Sequence, residues 1–157
     1  MVIPAALLKT VTDAAEVSYP DEACGLLIGM AEPGGVIRVS GVEPAPNVAS
    51  GGRGDRFEID PRVRFALTRR LRGGSARVIG HYHSHPDHPA SPSRRDLEMA
   101  FEPDLIWLIT SVLAGRPAET TASILDAAAR RFRRIALQVI ESGQVSEPGR
   151  IIKLGST

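Results

Sequence analysis

The first apolar positions of the chain, Ala6, Leu7, Val11, Ala14 and Ala15, recur at helical spacing. They predict a helix from Pro4 to about Val17, with the proline in its first turn. Tyr19-Pro20-Asp21 closes it, because a residue before proline is pushed out of helical geometry. Two short apolar runs follow, Ala23 to Met30 and Val36 to Val39. Gly34-Gly35 lies between them, which predicts a hairpin. The stretch Glu43 to Asp55 is rich in Pro, Gly, Asn and Ser and reads as a mobile loop. Phe57 to Ile59 has the length of a short strand. Asp60-Pro61 then starts a second helix, capped by Asp60 and ended near Arg72 by Gly73-Gly74.

Arg77 to His83 reads as a central strand. Pro86 to Pro92 is a proline-rich loop, after which Ser93 stands where the cap of a helix over Arg94 to Ala100 belongs. Leu105 to Leu113 is almost continuously apolar, the pattern of a strand buried on both faces. Arg131 to Ile140 and Val145 to Ile152 flank Ser142-Gly143 and predict a last hairpin. Helices alternating with paired strands imply an α/β layered fold with a mixed sheet. No internal repeat interrupts it, so residues 1–157 read as a single domain.

The 157 residues are 43% hydrophobic and 24% charged, as in an ordinary globular protein. No apolar run approaches the roughly 18–20 residues of a membrane span. The first residues lack the basic start of a secretory signal. With one cysteine, Cys24, no internal disulfide is possible, which agrees with a reducing compartment; the expected location is the cytoplasm. Basic residues are lopsided, 17 Arg against 2 Lys, and cluster at Arg69-Arg70-Leu71-Arg72 and at Arg130 to Arg134. A GC-rich genome explains that bias. A net charge of +1 lacks the basic excess of a nucleic-acid binder. Arg53-Gly54-Asp55 spells an adhesion-like tripeptide, which is coincidental in a cytoplasmic chain.

Chemistry concentrates in Gly80 to Asp96, GHYHSHPDHPASPSRRD, which holds all four histidines: His81, His83, His85 and His88. Side chains on a strand alternate faces, so His81, His83 and His85 project together and Tyr82 and Ser84 oppose them. Two imidazoles on one strand face suit zinc, with Zn–N distances of about 2.0 Å. Catalytic zinc usually takes three protein ligands and keeps one position open for water. Asp96, at the start of a helix that can fold back over the strand end, is the candidate third ligand. The set His81, His83 and His85 competes with it, and spacing alone leaves both open. A hydrolytic site also needs a general base. Glu22, just before the apolar run Cys24 to Gly29, is the candidate, although an acid there is equally a solvated strand-end charge.

His83-x-His85, then seven residues, Ser93, two residues and Asp96, with Glu22 upstream, resembles the signature of the JAMM (MPN+) zinc metalloproteases. The flanking runs Asp21 to Leu27, His83-Ser84-His85-Pro86 and Pro92-Ser93 match too. Phe57-Glu58-Ile59-Asp60-Pro61 and Glu102-Pro103-Asp104 extend the likeness to short bacterial members. The resemblance implies the cytidine deaminase-like JAMM/MPN fold, a largely antiparallel mixed sheet flanked by helices. It implies one zinc ion per chain on His83, His85 and Asp96, Glu22 as the base and Ser93 as donor to the oxyanion. At His81 the family more often has a bulky aromatic. His88 reads as an ordinary loop residue and Cys24 as a small buried one.

The family includes deubiquitinating isopeptidases and bacterial peptidases of sulfur-carrier proteins. The chain lacks room for the insertions of larger members, so the resemblance points to cleavage after the C-terminal Gly-Gly of a ubiquitin-like or sulfur-carrier protein, for example release of cysteine. Glycine alone lets a backbone slide through a narrow cleft, and an extended tail can add to a sheet edge. The Glu43 to Asp55 loop is placed to close over it. Two rivals are a metal-free scaffold of this fold and a DNA-repair-associated relative, the latter expected to show salt-sensitive DNA affinity. A zinc nucleotide deaminase needs a cysteine pair and is excluded.

Overall fold

The computed structural model describes residues 1–50 and 54–141. In chain order the elements are β1 (Val2–Pro4), α1 (Ala5–Ser18), β2 (Cys24–Ala31), β3 (Ile37–Ala45), α2 (Pro61–Arg70), β4 (Arg77–Pro86), α3 (Arg94–Met99), β5 (Ile106–Leu113), β6 (Arg116–Asp126), β7 (Arg131–Ile135) and β8 (Gln138–Ile140). Among the described residues the eight strands form one mixed sheet in the order β7-β6-β5-β4-β2-β3-β1-β8. The β4–β5, β1–β3 and β1–β8 pairs are parallel and the others antiparallel. Only Ala136 and Leu137 separate β7 on one edge from β8 on the other. So short a link requires the sheet to curl until its edges approach.

The helix α1 touches strands across the whole sheet, β1, β3, β4, β5, β6 and β8. Its Val11 and Ala15 join Leu27, Val39, Tyr82 and Leu108 in the buried core. The helical periodicity of the first segment is therefore that of a helix filling the concave face. On the second helix Asp60 accepts a hydrogen bond from the Arg62 amide at 2.9 Å, as its capping position predicts. No helix among the described residues is long and apolar enough to cross a membrane.

Four sequence expectations need correction. β6 and the three-residue β1 carry no assignment in the sequence reading. β6 is polar and threonine-rich, and is set by the Ala114-Gly115 turn, where both φ values are positive (49° and 78°) as tight hairpins prefer. Arg131 to Ile140 is not one arm: its two halves pair with β6 and β1 on opposite edges, while the partner arm Val145 to Ile152 lies outside the described residues. Phe57 to Ile59 forms no strand; Ile59 makes an isolated bridge to Asn47. Finally, β3 continues to Ala45, so the loop expected from Glu43 begins later. Its Gly51, Gly52 and Arg53, and with them part of the Arg53-Gly54-Asp55 tripeptide, fall outside the described residues.

Of the arginine clusters, Arg70 pairs with Glu43 at 2.5 Å and Arg134 with Glu119 at 2.8 Å. At the centre, Gly80 of β4 lies against β5. A Cβ there would overlap the Ile106 carbonyl oxygen and stand 2.8 Å from the Ile106 Cβ. Gly34, by contrast, has φ of 85° and open space around it. Gly80→Ala is expected to lower unfolding free energy by about 2 kcal/mol or more, as overpacking does. Gly34→Ala should lower it by about 1–2 kcal/mol, the cost of a left-handed backbone without a clash. Denaturant unfolding of the two variants side by side checks the difference.

Candidate metal centre

β4 runs three residues past its predicted end, because Ser84 and its neighbours keep partners on both sides. The Ser84 amide donates to the Ala23 carbonyl at 3.0 Å, and the Ser84 hydroxyl accepts from the Ala23 amide at 2.8 Å. On the other side His83, Ser84 and His85 align with Ile109, Thr110 and Ser111 of β5. His85 is thus a strand residue, and alternation does put His81, His83 and His85 on one face. All three are buried, with His83 fully enclosed.

Asp96 reaches this face from α3. Ser93 and Asp96 make a reciprocal capping box: the Asp96 amide donates to Ser93 Oγ at 3.1 Å, and the Ser93 amide donates to Asp96 Oδ2 at 2.6 Å. Ser93 Oγ also donates to Asp96 Oδ2 at 2.7 Å. The carboxylate lies 3.3 Å from His83 Nε2 through Oδ1 and 3.4 Å from His85 Nε2 through Oδ2. The two Nε2 atoms are 3.0 Å apart.

These separations suit a metal. A tetrahedron with ligand distances of about 2.0–2.1 Å has edges of about 3.3 Å. His83, His85 and Asp96 form the one candidate cluster among the described residues, with ligand atoms all within 4.8 Å of one another. His85 Nδ1 lies 2.8 Å from the Pro89 carbonyl, so its N–H donates there and the Nε2 lone pair faces inward. Thr121 on β6 donates in turn to the Ala90 carbonyl and holds that loop against the sheet.

Charge supports the same reading. Burial opposes ionisation of Asp96, but the hydrogen bonds from His83, His85 and Ser93 outweigh it and hold the carboxyl well below the usual range. Burial lowers the His83 pKa, keeping that ring neutral. For His85 burial acts the same way, yet Asp96 and the Pro89 carbonyl prevail and raise it. The donor set is thus one carboxylate and two imidazoles.

His81 stays out of the cluster. Its ring packs edge-on against Trp107 with centroids 4.1 Å apart, and burial lowers its pKa to about 3. The alternative set of three histidines is therefore not assembled. Phe57 stacks on His83 at 4.2 Å. Exposed His88 contributes only a backbone amide to the His85 carbonyl, at 3.4 Å. Cys24 faces the Ala45 and Pro46 carbonyls, and burial pushes its thiol up to about 12, in keeping with a packing role.

Glu22 shares a cavity with Ser93 and Asp96 and is 7% exposed. Burial raises its pKa to about 8, the His85 charge opposing and the Asp96 charge adding. The residue that secures it was invisible to sequence reasoning. Asn47 Nδ2 donates to the carbonyls of Glu22 (3.0 Å) and Arg56 (2.8 Å), while its Oδ1 accepts from the Glu58 amide at 3.0 Å. A lone asparagine in a Pro- and Gly-rich stretch reads only as a turn former, and pairing across 11 residues leaves no local signal.

Three comparisons bear on this arrangement. Residues 4–139 match the family described as prokaryotic homologs of the JAB domain. The chain is 33% identical over 92 residues to a desampylase from Haloferax volcanii, covering 59% of this chain and 63% of the relative. The match thus spans less than two thirds of that relative's length. It is 29% identical over 114 residues to a CysO-cysteine peptidase from Mycobacterium bovis, covering 71% and 73%. Its fold matches a JAB1/MPN domain protein from Archaeoglobus fulgidus with a TM-score of 0.58 at 22% identity, over 90% of this chain and 100% of the other.

The raised pKa of Glu22 has a measurable consequence in the metal-free protein. The folded state keeps a proton that the unfolded chain releases near the ordinary value of 4.5, so stability falls as pH rises from about 4.5 to about 8 and then levels. Glu22→Gln removes that contribution. The variant is expected to gain on the wild type across this window, by a few kcal/mol at most. Subtracting the two unfolding free energies, measured at pH 5 and pH 8, cancels the groups that Glu22 does not touch and leaves Glu22 together with its coupling to His85.

Proposed function

The chain belongs to the family of prokaryotic homologs of the JAB domain, and from that premise we propose a cytoplasmic zinc-dependent peptidase, one zinc per chain. Its substrate is the amide bond after the C-terminal Gly-Gly of a ubiquitin-like or sulfur-carrier protein. One observation carries the reading: a buried carboxylate and two buried imidazoles converge within ligand distance, with a protonatable glutamate on the same cavity wall. The names of the two relatives, desampylase and CysO-cysteine peptidase, support the substrate class.

His83, His85 and Asp96 would hold the zinc, which when bound acidifies water and polarises the scissile carbonyl. Glu22 accepts a proton from the attacking water and returns it to the departing amine. The accepting form is the carboxylate: burial raises its pKa to about 8 in the metal-free protein, and the charge of a bound cation would lower it into the range of a base at neutral pH. Ser93 Oγ leaves its bond to Asp96 Oδ2 and donates to the oxyanion developing on the scissile carbonyl. Phe57 and Trp107 exclude solvent from His83. The Gly-Gly tail lets the substrate backbone approach without a side chain in the way.

The purified protein is expected to hold about one zinc and to trim a carrier bearing an amino acid on its Gly-Gly end, followed by mass spectrometry. Glu22→Gln should keep zinc and lose trimming, and His83→Ala should lose both. Ser93→Ala should retain zinc while kcat falls about 10²–10³-fold. Wild-type protein that binds no zinc at its purified stoichiometry overturns the reading in favour of a metal-free scaffold.

A further inference from the structure

The cavity that opens on Glu22, Ser93 and Asp96 continues well beyond them. Its volume is about 340 Å³, and it runs between α2, α3 and the segment after α3. Its walls are chiefly apolar: Leu26, Phe57, Ile59, Met99, Leu105 and Trp107. A bidentate ion pair between Arg64 and Glu102, at 2.6 and 2.7 Å, ties α2 to the far rim. Arg95 also lines the cavity; its charge acts on Glu22, and it makes no close salt bridge among the described residues.

None of this is required by a tail of two glycines, which has no side chain to bury. A volume at the lower end of ligand-pocket sizes, about 300 Å³, fits one large residue. Glu22 returns its proton to the departing amine, so the residue carrying that amine lies against the wall that Glu22 shares with the apolar lining. A side chain further up the tail, beyond both glycines, is about 10 Å from the cleaved bond at strand spacing. The departing residue is therefore the occupant nearest to hand. If it ends the chain, its free carboxylate finds the Arg95 guanidinium, which makes no close salt bridge of its own among the described residues.

We infer that this cavity is a specificity pocket for the departing residue. It selects a single amino acid with a large apolar or aromatic side chain and a free carboxylate, joined through its α-amine to the Gly-Gly end of the carrier. The inference rests on the peptidase reading above. Leu26, Leu105 and Trp107 bury the side chain, and Arg95 takes the carboxylate. The reaction is simple hydrolysis: the amide C–N bond breaks, water supplies the hydroxyl to glycine, and its proton goes to the amine.

Trp107 is the only tryptophan in the chain and reports on the pocket directly. Synthetic peptides ending in Gly-Gly-Phe and Gly-Gly-Gly are titrated against zinc-loaded Glu22→Gln, with tryptophan fluorescence and calorimetry as readouts. The Phe peptide is expected to bind at least about tenfold more tightly and alone to shift the emission, as filling an apolar pocket predicts. Converting its terminal carboxylate to an amide should weaken binding in the parent, and Arg95→Gln should narrow that acid–amide gap. In the active enzyme the ratio of kcat/KM for Phe over Gly adducts should fall about tenfold in Trp107→Leu. It should fall less in Met99→Ala, which sits on the exposed rim where folding is not at risk. Equal affinity for the two peptides, or a Phe/Gly ratio unchanged in both variants, overturns the pocket even if every adduct is cleaved. Binding preference without cleavage by the wild type instead retains the pocket and removes the hydrolase reading.

Discussion

A buried carboxylate must be compensated, and much of this structure follows from how Asp96 is. At 5% exposure its charge has lost almost all contact with water. It faces two imidazoles and accepts the amide and hydroxyl of Ser93. Each partner comes from a different constraint. The imidazoles require β4 to stay extended through His85, which the Ala23–Ser84 bonds and the β5 ladder enforce. The Ser93 contacts require α3 to begin where it does, since Asp96 is its third residue. A helix of six residues would be marginal alone; here its first turn is held by the site that it helps to build.

Glu22 and Asp96 are acids in one cavity, pushed in opposite directions by their surroundings. Donors surround Asp96, so it stays ionised. Glu22 has burial without comparable donors, so in the metal-free protein its pKa is raised to about 8. Divergent pKa values within one site mark a division between a group that holds charge and a group that moves protons. The backbone clamp of Asn47 explains how Glu22 stays at the wall: its carbonyl is fixed to the segment that also supplies Phe57.

How much of this was legible in the sequence depended on the range of the interactions concerned. Period-two alternation placed the histidines on one face, and the Ser93-to-Asp96 spacing is a local helix signal, so both could be read from residues a few positions apart. The choice of His83, His85 and Asp96 over the three histidines came only from the motif resemblance, since spacing left both sets open. It depends on Trp107 drawing His81 into an edge-on ring contact, a relation between neighbouring strands. β6 escaped for a related reason. Its alternation is polar on both sides near Arg116 to Thr120, and only the left-handed turn at Ala114-Gly115 commits it to pair with β5. The split of Arg131 to Ile140 between two sheet edges has no local signature at all, because it reflects closure of the whole sheet.

That closure also bears on specificity. With α1 filling the concave face, the site must form on the opposite side of β4, where α2, α3 and the Phe57 segment leave a gap instead of a packed layer. The gap persists because its walls are braced from outside. Arg64 and Glu102 bridge it at the rim, and Asp60 fixes the start of α2 through Arg62 at 2.6 Å. An unfilled apolar volume forgoes dispersion contacts that a packed core would have. Retaining one next to Glu22 and Asp96 is intelligible when the missing contacts come from a bound side chain, and tight binding then follows from groups already held in place.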